Sequence, residues 1–267
     1  KTASKNEKTR GPSIIVLGYN GGMISGTAIG SLLVIYLGFK GVFIVASVIS
    51  IGVLLYGIFL IPAITINTHT LKEDSMFKNL GAVFKDFEFV KTILFVGIIT
   101  KSIMTGVNGF ALPLVLSNLN YLQEDIGQIL IFYSAAVLIS TRTISKIADK
   151  IGKTGIILLI GTQIGGLALF LIGLSGQDIF GLQSSPMLRT VFLIGSIFLL
   201  GLSHGFIHAP IVTHIAETRV AAKVGVSSTT SLYRFLERIG HVSGPVIVGQ
   251  LLYGMNMSSF SISWIGI

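Results

Sequence analysis

The sequence predicts an all-α protein: a polytopic membrane helical bundle with seven complete spans and the start of an eighth. Hydrophobic residues fill 51% of the 267 positions and charged residues only 11%, and the mean hydropathy is +0.83. An ordinary soluble domain carries about 25% charged residues, so its surface could not accommodate this much apolar area. The apolar residues also fall into long runs, and the connections between these runs alternate between many and few basic residues.

Seven runs are long enough to cross a membrane as helices, because a helix needs about 20 apolar residues to span the ~30 Å hydrocarbon layer. In chain order they cover residues 14–38, 41–62, 90–117, 126–141, 155–175, 190–215 and 224–254. An eighth run begins near Met257 and reaches only to Ile267, which as a helix would rise about 16 Å. We therefore expect the chain to be a fragment of a longer protein.

The distribution of lysine and arginine predicts the orientation, because cytoplasmic loops carry an excess of basic residues. Only Lys40 and Arg189 lie in the connections that follow the first, third, fifth and seventh runs. The connections on the other side, including the one before the first run, hold Lys1, Lys5, Lys8, Arg10, Lys72, Lys78, Lys85, Arg142, Lys146, Lys150, Lys153, Arg219 and Lys223, and Lys91 lies on the same side at the start of the third run. The N-terminus of the fragment and the connection 63–89 are therefore predicted to be cytoplasmic. This asymmetry accounts for the formal charge of +8 without a nucleic-acid partner.

The connection 63–89 is the longest between two runs, and part of it has helical periodicity. Its apolar residues recur at positions that share one face of a helix: Met76, Phe77, Leu80, Val83, Phe84 and Phe87. Charged and amide residues occupy the other faces. This pattern predicts a short amphipathic helix lying on the cytoplasmic membrane surface. A loop with incidental periodicity is the alternative.

Small, acidic and basic residues follow the fourth run in a recognisable order. The segment reads Ser145-Lys146-Ile147-Ala148-Asp149-Lys150-Ile151-Gly152-Lys153. It resembles the loop signature of the major facilitator superfamily of transporters, which usually has glycine where this chain has Ser145. That resemblance implies a gating role for Asp149, Lys150, Gly152 and Lys153, with Asp149 near the backbone around Ser13. Lys150 and Lys153 would equally serve as ordinary basic anchors on the cytoplasmic side.

The resemblance also implies a numbering of the helices. The family carries this signature after its second and its eighth helix, so the chain would extend from the fifth helix to the start of the twelfth. Residues 1–62 would end the N-terminal six-helix half, 63–89 would be the cytoplasmic linker between halves, and 90–267 would be the C-terminal half with its last span truncated. The first and seventh runs would then occupy equivalent places in the two halves.

Glycine motifs in those two runs support this equivalence. A shift of 218 residues superposes Gly22 on Gly240 and Gly26 on Gly244, and Pro245 follows directly. The first motif is similar to a degraded form of the family's glycine-rich antiporter signature. We therefore expect these five residues to mediate helix packing, because small residues let membrane helices approach closely.

Ionisable side chains inside the runs mark a candidate cavity, because such a group costs at least ~2.5 kcal/mol near the bilayer centre. The candidates for a substrate or proton cavity lie on three runs: Lys101, Thr105 and Asn108; His204 and His208; and Arg234, Glu237, Arg238 and His241. Other roles remain open for several of them. Lys101 could extend its ammonium towards the membrane surface, the histidines could bridge helices or bind zinc, and Glu237 could simply neutralise an arginine.

A secondary active transporter of a small solute, working by alternating access, is the function that these features favour. The excess of positive charge in the cavity favours an anionic solute, membrane lipid surrounds the helices, and proton coupling is left open. The alternative is a transporter-like sensor or anchor domain of a larger signalling protein. No enzyme, cofactor or metal site is predicted: the chain has no cysteine, and Gly152-Lys153-Thr154 lacks the earlier glycine of a phosphate-binding loop, since that place holds Ile147.

Overall fold

The computed structural model describes residues 10–60, 76–177, 181–208 and 210–254, together with Ile262. Within these ranges the chain is helical and contains no strand, which confirms the predicted all-α class. The helices are α1 (Arg10–Leu60), α2 (Met76–Phe84), α3 (Phe87–Asn118), α4 (Gln123–Ile151), α5 (Thr154–Leu174), α6 (Pro186–His208), α7 (Pro210–Ala216), α8 (Arg219–Val224), α9 (Val226–Leu236) and α10 (Arg238–Gly254).

Five helical segments in the described ranges are long and apolar enough to cross a membrane. They are Tyr36–Leu60, Phe87–Asn118, Asp125–Ile151, Thr154–Leu174 and Pro186–Ala216. These segments correspond to the second to sixth predicted runs, with boundaries that differ by up to ten residues. The protein is thus a multi-pass helical bundle, although the structure does not establish the predicted count of seven complete spans and an eighth.

The remaining runs account for the difference in count. The first run lies in the first part of α1, and the eighth falls outside the described residues except for the buried Ile262. The seventh run is divided at Glu237 into α9 and α10. At this position the backbone tightens, because the amide of Gly240 donates to the carbonyl of Glu237, three residues earlier, at 3.1 Å.

Helix α1 contains a kink where the first and second predicted spans meet. Gly38 has φ 64° and ψ 174°, a conformation outside the helical region that residues with a side chain rarely adopt. Beyond the kink, no side chain of Tyr36–Leu60 is buried, and aromatic residues such as Phe39, Phe43 and Phe59 are more than 70% exposed. This apolar surface suits contact with lipid. Helix α1 packs against α4.

Helix α4 is ten residues longer at its C-terminus than the predicted span 126–141. The polar residues after Thr141 end the apolar run but do not break the helix, which continues to Gly152 with φ 66°. Residues 145–151 of the segment that resembles the family's loop signature therefore belong to α4. Only Gly152 and Lys153 separate α4 from α5.

Helix α2 occupies part of the connection 63–89. It ends at Phe84, and Phe87 already belongs to α3. Val83 is fully buried in a cluster with Phe89 and Val220, so the apolar face of α2 packs partly on the protein. Helix α2 contacts α3, α8 and α9.

The helices that position the candidate site pack in pairs. Helix α6 packs against both α4 and α5, and α3 packs against α10. One buried cluster includes Leu112, Tyr133 and Val248, and a second, towards the other end of α3, includes Phe89 and Tyr233. The polar residues considered below lie between these clusters along α3.

The carboxylate of Asp86 joins two of these elements at the beginning of α3. Its Oδ1 accepts a hydrogen bond from the amide of Phe89 at 3.0 Å and caps the N-terminus of α3. Its Oδ2 accepts from the amide of Val220 in α8, also at 3.0 Å. Both amides lie in the first turns of their helices, where they have no partner within the helix. One side chain therefore holds the start of α3 against α8.

Replacing this carboxylate should destabilise the protein. We expect Asp86→Ala to lower the free energy of unfolding by about 1–3 kcal/mol, because two amides lose a charged acceptor. Asp86→Asn, which keeps one acceptor oxygen, should lose less. Thermal unfolding in mild detergent would measure both, with Asp125→Ala, at an exposed position of α4, as the control. Equal melting temperatures for Asp86→Ala and the control would contradict this role.

Candidate functional site

Helices α3 and α10 approach so closely that their backbones are in contact. A Cβ atom added to Gly106 would lie 2.5 Å from the carbonyl oxygen of Gly244, and one added to Gly244 would lie 2.6 Å from that of Ser102. Gly240 lies against the carbonyl of Ile98, and a Cβ there would be 3.0 Å from the Cβ of Lys101. These distances leave no room for any side chain at the glycines. The Cβ of Lys101 therefore lies beside Gly240 of α10, which follows Glu237 by about one helical turn.

Helix α3 has an irregular backbone around Lys101. The turn Ile99–Ser102 is α-helical, but Ile93–Ile98 before it and Ile103–Ala111 after it are π-helical, with hydrogen bonds spanning five residues. A π turn holds more residues than an α turn. In a regular α-helix, Asn108 would share a face with Lys101, seven residues earlier, but the π-helical turns shift Asn108 away from that face. Asn108 Oδ1 is buried and makes no hydrogen bond to any described residue.

Thr105 connects α3 to the proline of α10. Pro245 has no amide hydrogen, so the carbonyl of His241, four residues earlier, lacks its helical donor. The hydroxyl of Thr105 lies 3.2 Å from that carbonyl and 2.9 Å from the carbonyl of Lys101 in its own helix. Neighbouring Ser and Thr side chains commonly satisfy backbone groups freed by proline in membrane helices. Thr105, predicted for the cavity, thus contributes its hydroxyl to the contact between helices.

Glu237 is a buried carboxylate with one of its two oxygens in a hydrogen bond to a described residue. It is 2% exposed, and its Oε1 accepts a hydrogen bond from Nη1 of Arg234 at 3.0 Å. The Tyr233 side chain, one turn earlier, also interacts with the carboxylate. Glu237 Oε2 has no partner at hydrogen-bonding distance in the described part of the chain. The pair neutralises the buried negative charge, as a buried ion pair must, but leaves one oxygen unused.

Lys101 is partly buried, and no residue in the described part of the chain forms an ion pair with it. No described residue makes a hydrogen bond or a salt bridge with its ammonium group, and Glu237, Arg234 and Arg238 are the charged groups with which it interacts at longer range. Arg234 forms a direct ion pair with Glu237, whereas Lys101 interacts with that carboxylate only at longer range. The three basic groups Lys101, Arg234 and Arg238 outnumber the one carboxylate, which favours an anionic ligand.

His204 and His208 lie one turn apart on α6, and their rings stack with centroids 5.4 Å apart. The hydroxyl of Tyr133 in α4 lies 2.5 Å from Nδ1 of His204, and the two rings meet edge to face. His208 lies within electrostatic range of Lys101, Arg234 and His241, and its Nε2 is buried with no partner among the described residues. His208 on α6 thus lies within electrostatic range of ionisable residues on α3 and α9–α10.

The comparisons with known proteins identify the family. The family model described as Major Facilitator Superfamily matches residues 1–245. The chain belongs to the major facilitator superfamily. It is therefore an integral membrane protein of a transporter family, as the segment around Asp149 predicted, and members of this family are transporters and not enzymes. Searches of the curated proteins and of the solved structures found no match.

Several predicted residues of this major facilitator superfamily protein lie away from the polar cluster. Arg238 is exposed at the start of α10, so it does not share the buried face of Glu237. Gly22 and Gly26 are exposed, and a Cβ at either would meet no atom within 4 Å in the described part of the chain. Packing at Gly22 and Gly26 stays a prediction, whereas Gly240 and Gly244 lie directly against the backbone of α3.

The predicted gating residues lie at the junction of α4 and α5. Asp149 is partly buried near the end of α4, Lys150 is exposed, and Gly152 and Lys153 form the turn. Helix α4 is also the helix against which α1 packs. The proximity of Asp149 to Ser13 stays a prediction, because the side chain of Ser13 lies outside the described residues.

Tyr133 is the residue of this cluster that the sequence did not reveal. It lies in the predicted run 126–141, 71 positions before His204. An aromatic residue in such a run is normally part of the core, and Tyr133 is indeed 3% exposed. Only the packing of α4 against α6 makes its hydroxyl a partner of the histidine.

The contact between Thr105 and the His241 carbonyl can be tested by a double-mutant cycle. We expect Thr105→Val to lower the free energy of unfolding by about 1–3 kcal/mol, because a buried carbonyl loses its donor. In a Pro245→Ala background the restored amide at position 245 can serve that carbonyl, so the same substitution should cost less. Thr143→Val, where the hydroxyl is exposed and bonds only its own helix, is the control. An equal loss in both backgrounds would show that Thr105 and Pro245 are not coupled.

Proposed function

We propose that this chain is part of a secondary active transporter that moves a small anionic solute by alternating access. The observation that supports the proposal best is the partly buried Lys101, which has no ion-pair partner among the described residues and interacts electrostatically with the Arg234–Glu237 pair. Buried charges of this kind are expensive in a membrane helix and are typical of substrate and ion pathways. The solute would bind between α3, α6 and the α9–α10 segment.

Protons are the proposed coupling ion, and Glu237 is the proposed carrier. Among the residues of the five membrane segments and α9–α10, it is the one acidic side chain that is buried in the polar cluster. A solute anion that bound Lys101 would also compete with Glu237 for Arg234. Displacement of Arg234 would leave this buried carboxylate without its ion-pair partner. Solute binding and protonation would thereby be linked through one arginine.

The division into halves supplies the proposed motion. Residues 1–62 would belong to the N-terminal half and 90–267 to the C-terminal half, with 63–89 as the cytoplasmic linker that contains α2. The two halves would rock around the polar cluster. Asp149, at the end of α4, would help to hold the cytoplasmic side closed against α1, with Lys150, Gly152 and Lys153 forming the rest of the gate.

The coupling role of Glu237 predicts a separation of two transport modes. The experiment uses the full-length transporter in proteoliposomes, with a radiolabelled organic anion that the wild type accumulates. Glu237→Gln keeps the shape of the side chain and removes its charge. We expect it to reduce uptake driven by a pH gradient by at least about tenfold, while exchange at equal pH on both sides remains within about twofold. Glu217→Gln, at an exposed position after α7, should behave as wild type.

Normal pH-driven uptake by Glu237→Gln would exclude this carboxylate as the proton carrier. Loss of both modes, together with a lower melting temperature, would instead assign Glu237 a structural role as the counter-ion of Arg234.

The orientation can be tested directly because the chain contains no cysteine. Single substitutions Lys85→Cys and Lys150→Cys, at exposed positions, should react with a membrane-impermeant maleimide only from the cytoplasmic side. Asp125→Cys, exposed near the start of α4, should react only from the opposite side. These outcomes follow from the excess of basic residues in cytoplasmic connections. Labelling of Lys150→Cys in intact cells would reverse the proposed topology.

A further inference from the structure

We infer that His208 forms, with Lys101, a two-point site for a carboxylate group of the solute, and that Tyr133 positions this site through His204. The inference rests on the proposed transport function and specifies the chemistry of its substrate. It combines a hydrogen bond, a ring stack and two unused polar groups that lie on α3, α4 and α6.

The first step is the fixed orientation of His204. Its Nδ1 lies 2.5 Å from the hydroxyl of Tyr133, and the two rings are perpendicular, with centroids 5.5 Å apart. Either atom can be the donor, depending on the tautomer of the imidazole. In both cases the bond fixes the rotation of the ring about its last torsion. Both residues are at most 3% exposed, so no water is needed to complete this contact.

The second step passes this orientation to His208. The two imidazole rings are inclined by only 29°, with centroids 5.4 Å apart. A ring stacked on a fixed neighbour has fewer free rotamers, so His208 loses less conformational entropy when it binds a ligand. Tyr133 thus acts on His208 without touching it, which makes it a positioning residue.

The third step is that His208 and Lys101 each have a polar group that pairs with no described residue. His208 Nε2 is buried and has no hydrogen-bond partner among the residues of the described ranges. A buried polar atom left in this way costs about 1–3 kcal/mol. The ammonium of Lys101, within electrostatic range of His208, likewise has no ion-pair partner in the described chain. A carboxylate has two oxygens, so it can accept from both groups at once.

The surrounding charges favour an anion over a cation at this site. His208 interacts electrostatically with Lys101, Arg234 and His241, and Lys101 also interacts with Arg238. Glu237 is the acidic residue of this neighbourhood, and Arg234 already occupies its Oε1. A cationic solute would therefore meet a positive field, whereas a carboxylate would compensate it. A neutral amide of the same shape would gain no charge attraction.

The test measures binding at equilibrium, without a gradient, on the purified full-length transporter in detergent. The probes are acetate, lactate, succinate and benzoate, each paired with its neutral amide, and the readouts are thermal shift and titration calorimetry. We expect at least one carboxylate, and none of the amides, to bind wild type. Lys101→Met should abolish this binding, and Lys223→Met, at an exposed position of α8, should not change it.

Tyr133→Phe keeps the ring and removes the hydroxyl, so it isolates the positioning role. We expect it to weaken carboxylate binding by about tenfold, equivalent to about 1.4 kcal/mol. Tyr121→Phe is the matched control, because it also removes a hydroxyl that bonds a neighbouring helix, at 2.7 Å from Thr190. Both variants should lower the melting temperature of the unliganded protein, but only Tyr133→Phe should lower the affinity.

Two outcomes would overturn the inference. One is that no carboxylate probe binds wild type, or that the amides bind equally well. The other is that Tyr133→Phe lowers the melting temperature as Tyr121→Phe does but leaves the affinity unchanged. Carboxylate binding without pH-driven uptake would instead contradict the proposed proton coupling and leave this site intact, so the two failures can be distinguished.

Discussion

The polar centre of this protein depends on the contact between the backbones of α3 and α10. Gly106, Gly240 and Gly244 let the two helices touch, and Lys101 stands beside the glycines. In a membrane no difference in hydrophobicity drives helices together, so close packing and polar contacts must hold them. A side chain at Gly244 would separate the helices and move Lys101 away from Glu237. These glycines therefore determine the position of Lys101 relative to α10.

The same contact explains how a proline-containing helix remains in the bundle. Pro245 leaves the His241 carbonyl without a backbone donor, and the hydroxyl of Thr105 lies where it can replace that donor. Such a substitution of side chain for backbone is possible only where another helix comes near enough. Close packing at the glycines and polar satisfaction at the proline are thus parts of one arrangement. Arg234 likewise supplies a hydrogen-bond donor to a buried acceptor, the carboxylate of Glu237.

Much of the fold could be predicted from the sequence because lipid requires long apolar runs. The predicted span 155–175 corresponds to the helix Thr154–Leu174, and the predicted span 90–117 corresponds to Phe87–Asn118. The end of α4 was missed because polar residues end an apolar run while only a residue such as Gly152 ends the helix. Lys101 could be predicted as a candidate site residue because a charged side chain inside a membrane span is energetically unfavourable. Tyr133 could not, since its role depends on a partner 71 residues away.

The π-helical segments on either side of Lys101 have a consequence for how far this side chain can travel. Each segment contains more residues per turn than the α-helix that joins them, Ile99–Ser102. If one surplus residue passed from one segment to the other, the intervening turn would rotate by about 100° and shift by about 1.5 Å along the axis. This rotation would carry Lys101 away from Gly240 and Ser102 away from Gly244, so it would require α3 and α10 to separate at these glycines. A change in the direction of the ammonium group is therefore tied to the opening of this helix contact.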